Sequence, residues 1–391
     1  MAWVLALGTS LGVVNYLVDP SGLFYRLDPG KPALCSPDMS ANARALKPYA
    51  FVASTLRTLA LGTSQVEIGI DVSDPYLVSQ TGPAFNLALP GAEMRTMAGL
   101  GIEAMSHSMV DTIVVGLSYG MFESDQREGM EAPKALNPGL GTIAFRLRAL
   151  FAPAFTKTAL RSVFLGCQTP IYRLDGQVHP EIYVTSVWAN PSKAIREEMP
   201  DGYLKQYMMK RKGTADAGRS PYSANLQALR EMVDTAVRTH TRLVMFVTPL
   251  SAPILEIIRQ TGHQEGFERW KRDLGDLAGT RDMIAPVRDF SVHSKVTDEP
   301  FPVAASSSAD LHWFFELNHF SPALGALVLK RLFQENGEGE LFGAPLEPGT
   351  IDAHLAAARS AGEAYRATHP QEVAWIERRA AILRRAGREA R

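Results

Sequence analysis

Apolar residues along this chain fall into short runs, each followed by a turn and then by a stretch of helical period. The runs lie at residues 58–62, 84–87, 112–117, 243–248 and 284–290, and they are rich in Val, Ile, Leu, Phe and Thr. Residues 92–105, 224–239, 252–260 and 266–277 place apolar positions three and four apart, as amphipathic helices do. Strand, turn and helix in repeated alternation predict an α/β fold, a three-layer doubly wound parallel sheet with helices on both faces. In such sheets ligands gather beyond the carboxyl ends of the strands, so the residues that follow each run are the ones to inspect for chemistry.

Two regions break the alternation. Residues 119–223 are mixed, polar and rich in Pro and Gly, and read as an insertion. It forms either a lid or substrate wall over the strand ends or a structural excursion. Residues 336–349 are Gly-rich and read as a linker to a helical tail over 351–391, which ends in Arg378, Arg379, Arg384 and Arg385 and suits a solvated docking helix. The expected organisation is therefore an N-terminal segment 1–18, an α/β domain 19–335 that includes the insertion, and a linker and tail over 336–391.

The first eighteen residues carry no charge and are closed by Asp19 and Pro20. That length just spans a bilayer core of about 30 Å. No Lys or Arg precedes the run, Asn15 interrupts it and no clear cleavage site ends it. A membrane anchor is the expected reading, with a cleaved signal peptide and a buried apolar helix as alternatives. An anchor would place the remainder outside the cytoplasm, tethered to the inner membrane and periplasmic. A net charge of −1 argues against nucleic acid as a partner. The two cysteines, Cys35 and Cys167, have no metal-ligand spacing, and they are either separate thiols or one disulfide.

Two segments could carry chemistry. Residues 59–64 run as an apolar strand into Gly62-Thr63-Ser64, which sets a hydroxyl at the sheet edge with a helix N-terminus behind it. The same residues also suit a simple helix cap. In the second, Glu316 precedes His319 by three positions, just before a helix expected to begin at Pro322. A serine nucleophile needs a base within reach, and the base needs an acceptor on its other ring nitrogen. Glu316 can be that acceptor if the loop curls back. Competing readings are a surface histidine, a metal site from His312, Glu316 and His319 on one helical face, and an acid–base pair of Asp310 with His312.

Taken together, these blocks resemble the SGNH (GDSL-like) hydrolase superfamily, and within it bacterial proteins of cell-surface polysaccharide O-acetylation. The resemblance runs from about Asn15 to Phe333. It is carried by residues 15–20, Leu61-Gly62-Thr63-Ser64, residues 85–92, Val114-Val115-Gly116-Leu117, Phe246-Val247-Thr248-Pro249 and residues 316–319. It implies Ser64 as nucleophile, His319 as base and Glu316 as its carboxylate partner, with the backbone N–H groups of Ser64 and Gly91 in the oxyanion hole. Three positions depart from the family pattern: Thr63 and Glu316 stand where it has aspartates, and Ser118 stands near its third-block asparagine. Either Asn86 or Ser118 supplies the missing donor, or the enzyme is slow, or it has lost catalysis. The implied activity is a serine-dependent acyl hydrolase or O-acetyltransferase on a carbohydrate ester outside the cytoplasm, needing no metal or organic cofactor. The implied partners are a glycan substrate and polysaccharide-export proteins. The alternative is a non-catalytic SGNH-like glycan-binding or scaffold protein.

Overall fold

The computed structural model describes residues 2–24, 39, 42–123, 136, 140–167, 169–180, 199–209, 221–279, 284–303, 311–334 and 340–389. Six strands form one sheet: β1 (Thr58–Leu61), β2 (Ala84–Asn86), β3 (Thr112–Leu117), β4 (Arg242–Val247), β5 (Val287–Asp289) and β6 (Ala344–Leu346). Their order is β2-β1-β3-β4-β5-β6. The first five are parallel, and β6 closes the β5 edge antiparallel. The expected α/β class and mostly parallel sheet are present, and the order is compatible with a flavodoxin-like fold.

The helices among the described residues are α1 (Ala2–Val18), α2 (Ala43–Val52), α3 (Ser64–Gly69), α4 (Pro75–Thr81), α5 (Met94–Ser106), α6 (Tyr119–Glu123), α7 (Leu140–Leu150) and α8 (Pro153–Leu165). They continue with α9 (Met199–Met209), α10 (Pro221–Thr239), α11 (Ala252–Gln260), α12 (Gln264–Gly279), α13 (Pro322–Phe333), α14 (Ile351–Thr368) and α15 (Pro370–Glu389).

Alternate strand residues build two cores, one on each face of the sheet. Leu59, Leu61, Ile113, Val115, Leu117, Leu243 and Met245 join the larger core with α5, α10, α11 and α12. Ala60, Val114, Val244 and Phe246 join the smaller one with Val66, Phe320, Leu324 and Val328 from the α3 and α13 side. Because side chains point to opposite faces at successive positions, a strand covered on both sides must be apolar throughout. That is why β1, β3 and β4 stood out as unbroken apolar runs.

The region read as a linker differs from expectation. It contains β6, with Gly343 N–H donating to the Asp289 carbonyl at 2.7 Å. Pro345 fits there because an edge strand can tolerate a missing donor. The tail is helical as expected and is tied to the domain: His354 in α14 bonds Asp289 of β5, and Arg359 pairs with Glu268 of α12. Cys167 is disulfide-bonded. The other cysteine of the chain, Cys35, lies outside the described residues, as does Asp310.

Candidate active site

β1 and β3 are neighbours in the sheet, yet their chain connections leave in opposite directions, to β2 and to β4. That reversal opens a crevice at their carboxyl ends, the usual ligand position in an open α/β sheet. Ser64 and Ser118, which follow these two strands, both line a cleft of about 190 Å³ there.

Thr63 takes the capping role. Its backbone is extended and its Oγ1 accepts from Gln65 N–H at the start of α3. The Ser64 hydroxyl is thereby left to face His319, whose Nε2 lies 2.8 Å from Ser64 Oγ. His319 Nδ1 is hydrogen-bonded to Glu316 Oε1. The chain of contacts Ser64–His319–Glu316 joins residues 255 positions apart in sequence.

The Glu316 loop curls back for identifiable reasons. Phe314 and Phe320 form an antiparallel bridge, Phe315 N–H donates to the His319 carbonyl at 2.9 Å, and Ser321 N–H donates to the Trp313 carbonyl at 2.8 Å. Glu316 sits fully buried inside this loop, where its carboxylate accepts from the backbone N–H groups of Asn318 at 3.0 Å and His319 at 2.7 Å. The same carboxylate therefore shapes the turn and holds the imidazole. Ser321 then caps α13, with Pro322 in its first turn.

A close helix contact seats this loop over Ser64. A Cβ on Gly325 would lie 1.8 Å from the Gly69 carbonyl oxygen, and one on Gly69 would lie 2.1 Å from the Phe320 ring. Only glycine at both positions lets α13 meet the end of α3, so the histidine segment and the serine helix share one rigid contact. Gln65 adds a polar tie. Its Nε2 donates to the Asn318 carbonyl at 2.9 Å, and its Oε1 accepts from Thr248 Oγ1 at 2.8 Å.

Gly91 lines the same cleft, in a left-handed conformation with φ of 61° that favours glycine. Its loop is held from behind by α2: Arg44 donates to the Pro90 carbonyl, and Lys47 Nζ donates to the Ala88 carbonyl at 2.6 Å. Lys47 is fully buried and also pairs with Glu67 of α3 at 3.0 Å. Burial pushes the Lys47 ammonium down from its ordinary value, and Glu67 opposes that shift. Tyr172 of the insertion completes the cluster, donating to Glu67 Oε1 at 2.9 Å.

Asn86 is put to a different use from the oxyanion role considered for it. It is fully buried behind α3, and its amide nitrogen faces the carbonyls of Val66, Glu67 and Ile70 at 3.3–3.4 Å and Gln177 Oε1 at 3.0 Å. It does not line the cleft, whereas Ser118 does. The insertion contributes to both alternatives read for it. Gln177 and Tyr172 brace α3 from behind, while Tyr203, Gln206 and Tyr207 of α9 form a wall of the cleft.

Residues 312–319 form a loop, so His312, Glu316 and His319 do not share a helical face. Among the described residues no group of three or more His, Cys, Asp or Glu side chains converges. Gln65, Arg44 and Lys47 escaped sequence reasoning because their roles depend on segments far along the chain.

A second cleft of about 200 Å³ lies among α11, α12 and α14. Its charged groups include the pairs Arg259 with Glu256 and Arg359 with Glu268. No family model matches this chain, and no curated protein matches it.

Proposed function

We propose that the protein is an SGNH-type serine acyl hydrolase or O-acetyltransferase that acts on a carbohydrate ester outside the cytoplasm. The observation that carries this reading is the hydrogen-bonded series Ser64–His319–Glu316 at the mouth of a cleft. Ser64 Oγ attacks the ester carbonyl as His319 Nε2 takes its proton, and Glu316 holds the ring tautomer and stabilises the imidazolium. The negative oxygen that develops is met by backbone N–H groups of Ser64 and Gly91, with Ser118 at the third strand end beside them. Collapse expels the sugar alkoxide, which takes the proton back from His319. The acyl-serine is then resolved by water in a hydrolase or by a sugar hydroxyl in a transferase.

Two further observations support the substrate class and the compartment. Tyr203, Gln206 and Tyr207 line the cleft with aromatic faces and an amide, groups that suit a sugar ring. The disulfide at Cys167 suits an oxidising compartment. Among the described residues no helix is long and apolar enough to cross a membrane. Attachment to the membrane through the N-terminal segment thus belongs to the proposal.

The test is labelling with a fluorophosphonate probe, which reacts only with an activated serine. Wild type should be labelled and Ser64→Ala should not. An unlabelled wild type would favour the scaffold reading, to which the serine in place of the third-block asparagine lends weight.

A further inference from the structure

We propose that α1, α7 and α8 form one platform that sits in the headgroup region of an anionic lipid bilayer. Ten of the thirteen large hydrophobic side chains exposed among the described residues lie on these three helices or in the turn between α7 and α8. Val13 and Leu17 project from α1, Ile143 and Leu147 from α7, and Phe164 and Leu165 from α8, with Phe164 78% exposed. Isolated exposed apolar residues are ordinary, whereas a cluster on packed neighbours marks a contact surface.

The three helices are joined by specific contacts. Asn15, the residue that breaks the apolar run of α1, is fully buried and donates to the Leu150 carbonyl at 2.7 Å and to Thr156 Oγ1 at 2.9 Å. A Cβ on Gly12 would lie 3.0 Å from the Phe151 ring, so α1 approaches the hairpin closely there. The Asn15 amide nitrogen thus fastens α1 to the end of α7 and the start of α8, and all three helices carry exposed apolar side chains.

Charge identifies the occupant. Residues 140–165 contain no acidic residue, and of their basic ones Arg148, Lys157 and Arg161 are exposed, while Arg146 packs partly buried toward Tyr49; α1 has no charge at all. The rest of the chain is net acidic, since the whole carries a net charge of −1. Bulky apolar side chains interleaved with exclusively basic ones are the composition of a helix that lies in the plane of a membrane interface. Each basic group gains roughly five-fold in partition at an anionic surface. A soluble acidic partner would have no use for the breadth of apolar surface, and a second copy of this basic hairpin would set like charges against each other.

This proposal stands apart from the catalytic reading, because it uses no residue of the Ser64 cleft. The test places an environment-sensitive nitrobenzoxadiazole label on the full chain through Leu147→Cys or, as an exposed apolar control on α15, through Ile382→Cys. Among the described residues no free cysteine competes for the label. Each protein is mixed with vesicles of phosphatidylcholine containing phosphatidylglycerol and a doxyl-labelled lipid as quencher. At position 147 the emission should shift to the blue and be strongly quenched, and at 382 it should stay unchanged. Vesicles of phosphatidylcholine alone, or high salt, should reduce the quenching at 147 several-fold. An unquenched label at 147 overturns the proposal, and equal quenching with and without phosphatidylglycerol overturns the anionic class. Shielding of 147 before lipid is added, growing with protein concentration, would assign the surface to a second copy instead. Fluorophosphonate labelling of the same samples reports Ser64 separately, so failure of one reading leaves the other intact.

Discussion

Among the described residues two fully buried carboxylates, Asp289 and Glu316, each hold a histidine, and their surroundings differ. At Asp289, on β5, the carboxylate binds His354 Nε2 at 2.8 Å and Lys271 Nζ at 2.7 Å, and it accepts from Ser291 N–H at 2.9 Å. All three side chains are buried, and the ammonium also donates to the Ser291 carbonyl. At Glu316 the carboxylate is buried as deeply, but the histidine it holds reaches out to a hydroxyl in a cleft. The carboxylate–histidine pair is thus common to both, and what separates them is the third partner and its access to solvent. An ammonium saturates the first pair and fixes the β5 edge to α12 and α14. At the second pair the outer ring nitrogen meets a serine hydroxyl, base and nucleophile in the proposed function.

Substitutions at the two clusters should therefore separate activity from stability. The largest expected effect is at the cleft: Ser64→Ala or His319→Ala should lower turnover of an activated ester by about 10⁴- to 10⁶-fold, with thermal stability little changed. His354→Ala should leave turnover per folded molecule unaltered. Equal losses at His319 and His354 in a steady-state assay would erase the distinction.

Glu316→Gln comes next, with an expected loss of about 10²- to 10⁴-fold in kcat, since the amide no longer stabilises the imidazolium. The amide oxygen can replace only one of the two carboxylate oxygens that accept from the Asn318 and His319 N–H groups, so a modest loss of thermal stability should accompany the kinetic effect. A circular-dichroism melt alongside the kinetics checks both halves of this expectation.

Asp289→Asn should act on stability instead, costing about 3–5 kcal/mol by leaving Lys271 buried without its counter-charge. Burial alone would raise the Asp289 carboxyl, but Lys271 and His354 beside it hold it below its ordinary value of 3.8. A depressed carboxylate stabilises the fold above the unfolded value and loses that contribution as pH falls through the folded one. Chemical denaturation between neutral pH and about pH 3 should thus show the gap between wild type and Asp289→Asn shrinking with acid. A gap that widens would contradict the assignment.

The smallest effect concerns Gln65, which ties the histidine loop to the end of β4. Gln65→Leu should lower kcat by roughly ten-fold and leave KM nearly unchanged, as expected for a residue that positions the base without touching substrate. A change confined to KM would move Gln65 into the binding surface.

Much of this was legible in the sequence, for physical reasons that can be named. β1, β3 and β4 are buried on both faces, so their apolar runs announced themselves, and Pro322 marked the start of α13. The spacing of Glu316 and His319 gave the pair, because a carboxylate three residues away can bond both the ring and the backbone of a tight loop. β6 was hidden: Ala344-Pro345-Leu346 is a three-residue edge strand whose pairing with β5 depends on tertiary contact. Asn86 looked available beside the second loop, and its burial under α3 follows from Gln177, 91 positions away. Lys47 reads as a surface residue, since lysine is seldom buried unless paired, and its partner Glu67 lies on another helix.

The central claim is that His319, held by Glu316, activates Ser64 as a nucleophile. The most direct measurement is mass spectrometry of the protein after brief exposure to a small activated acetyl ester, with Ser64→Ala in parallel. The account predicts an added acetyl group on the peptide that contains Ser64, absent from the alanine variant and depleted when water or an added oligosaccharide is given time to accept it. Equal ester turnover by wild type and Ser64→Ala, with no acetyl on that peptide, would contradict it.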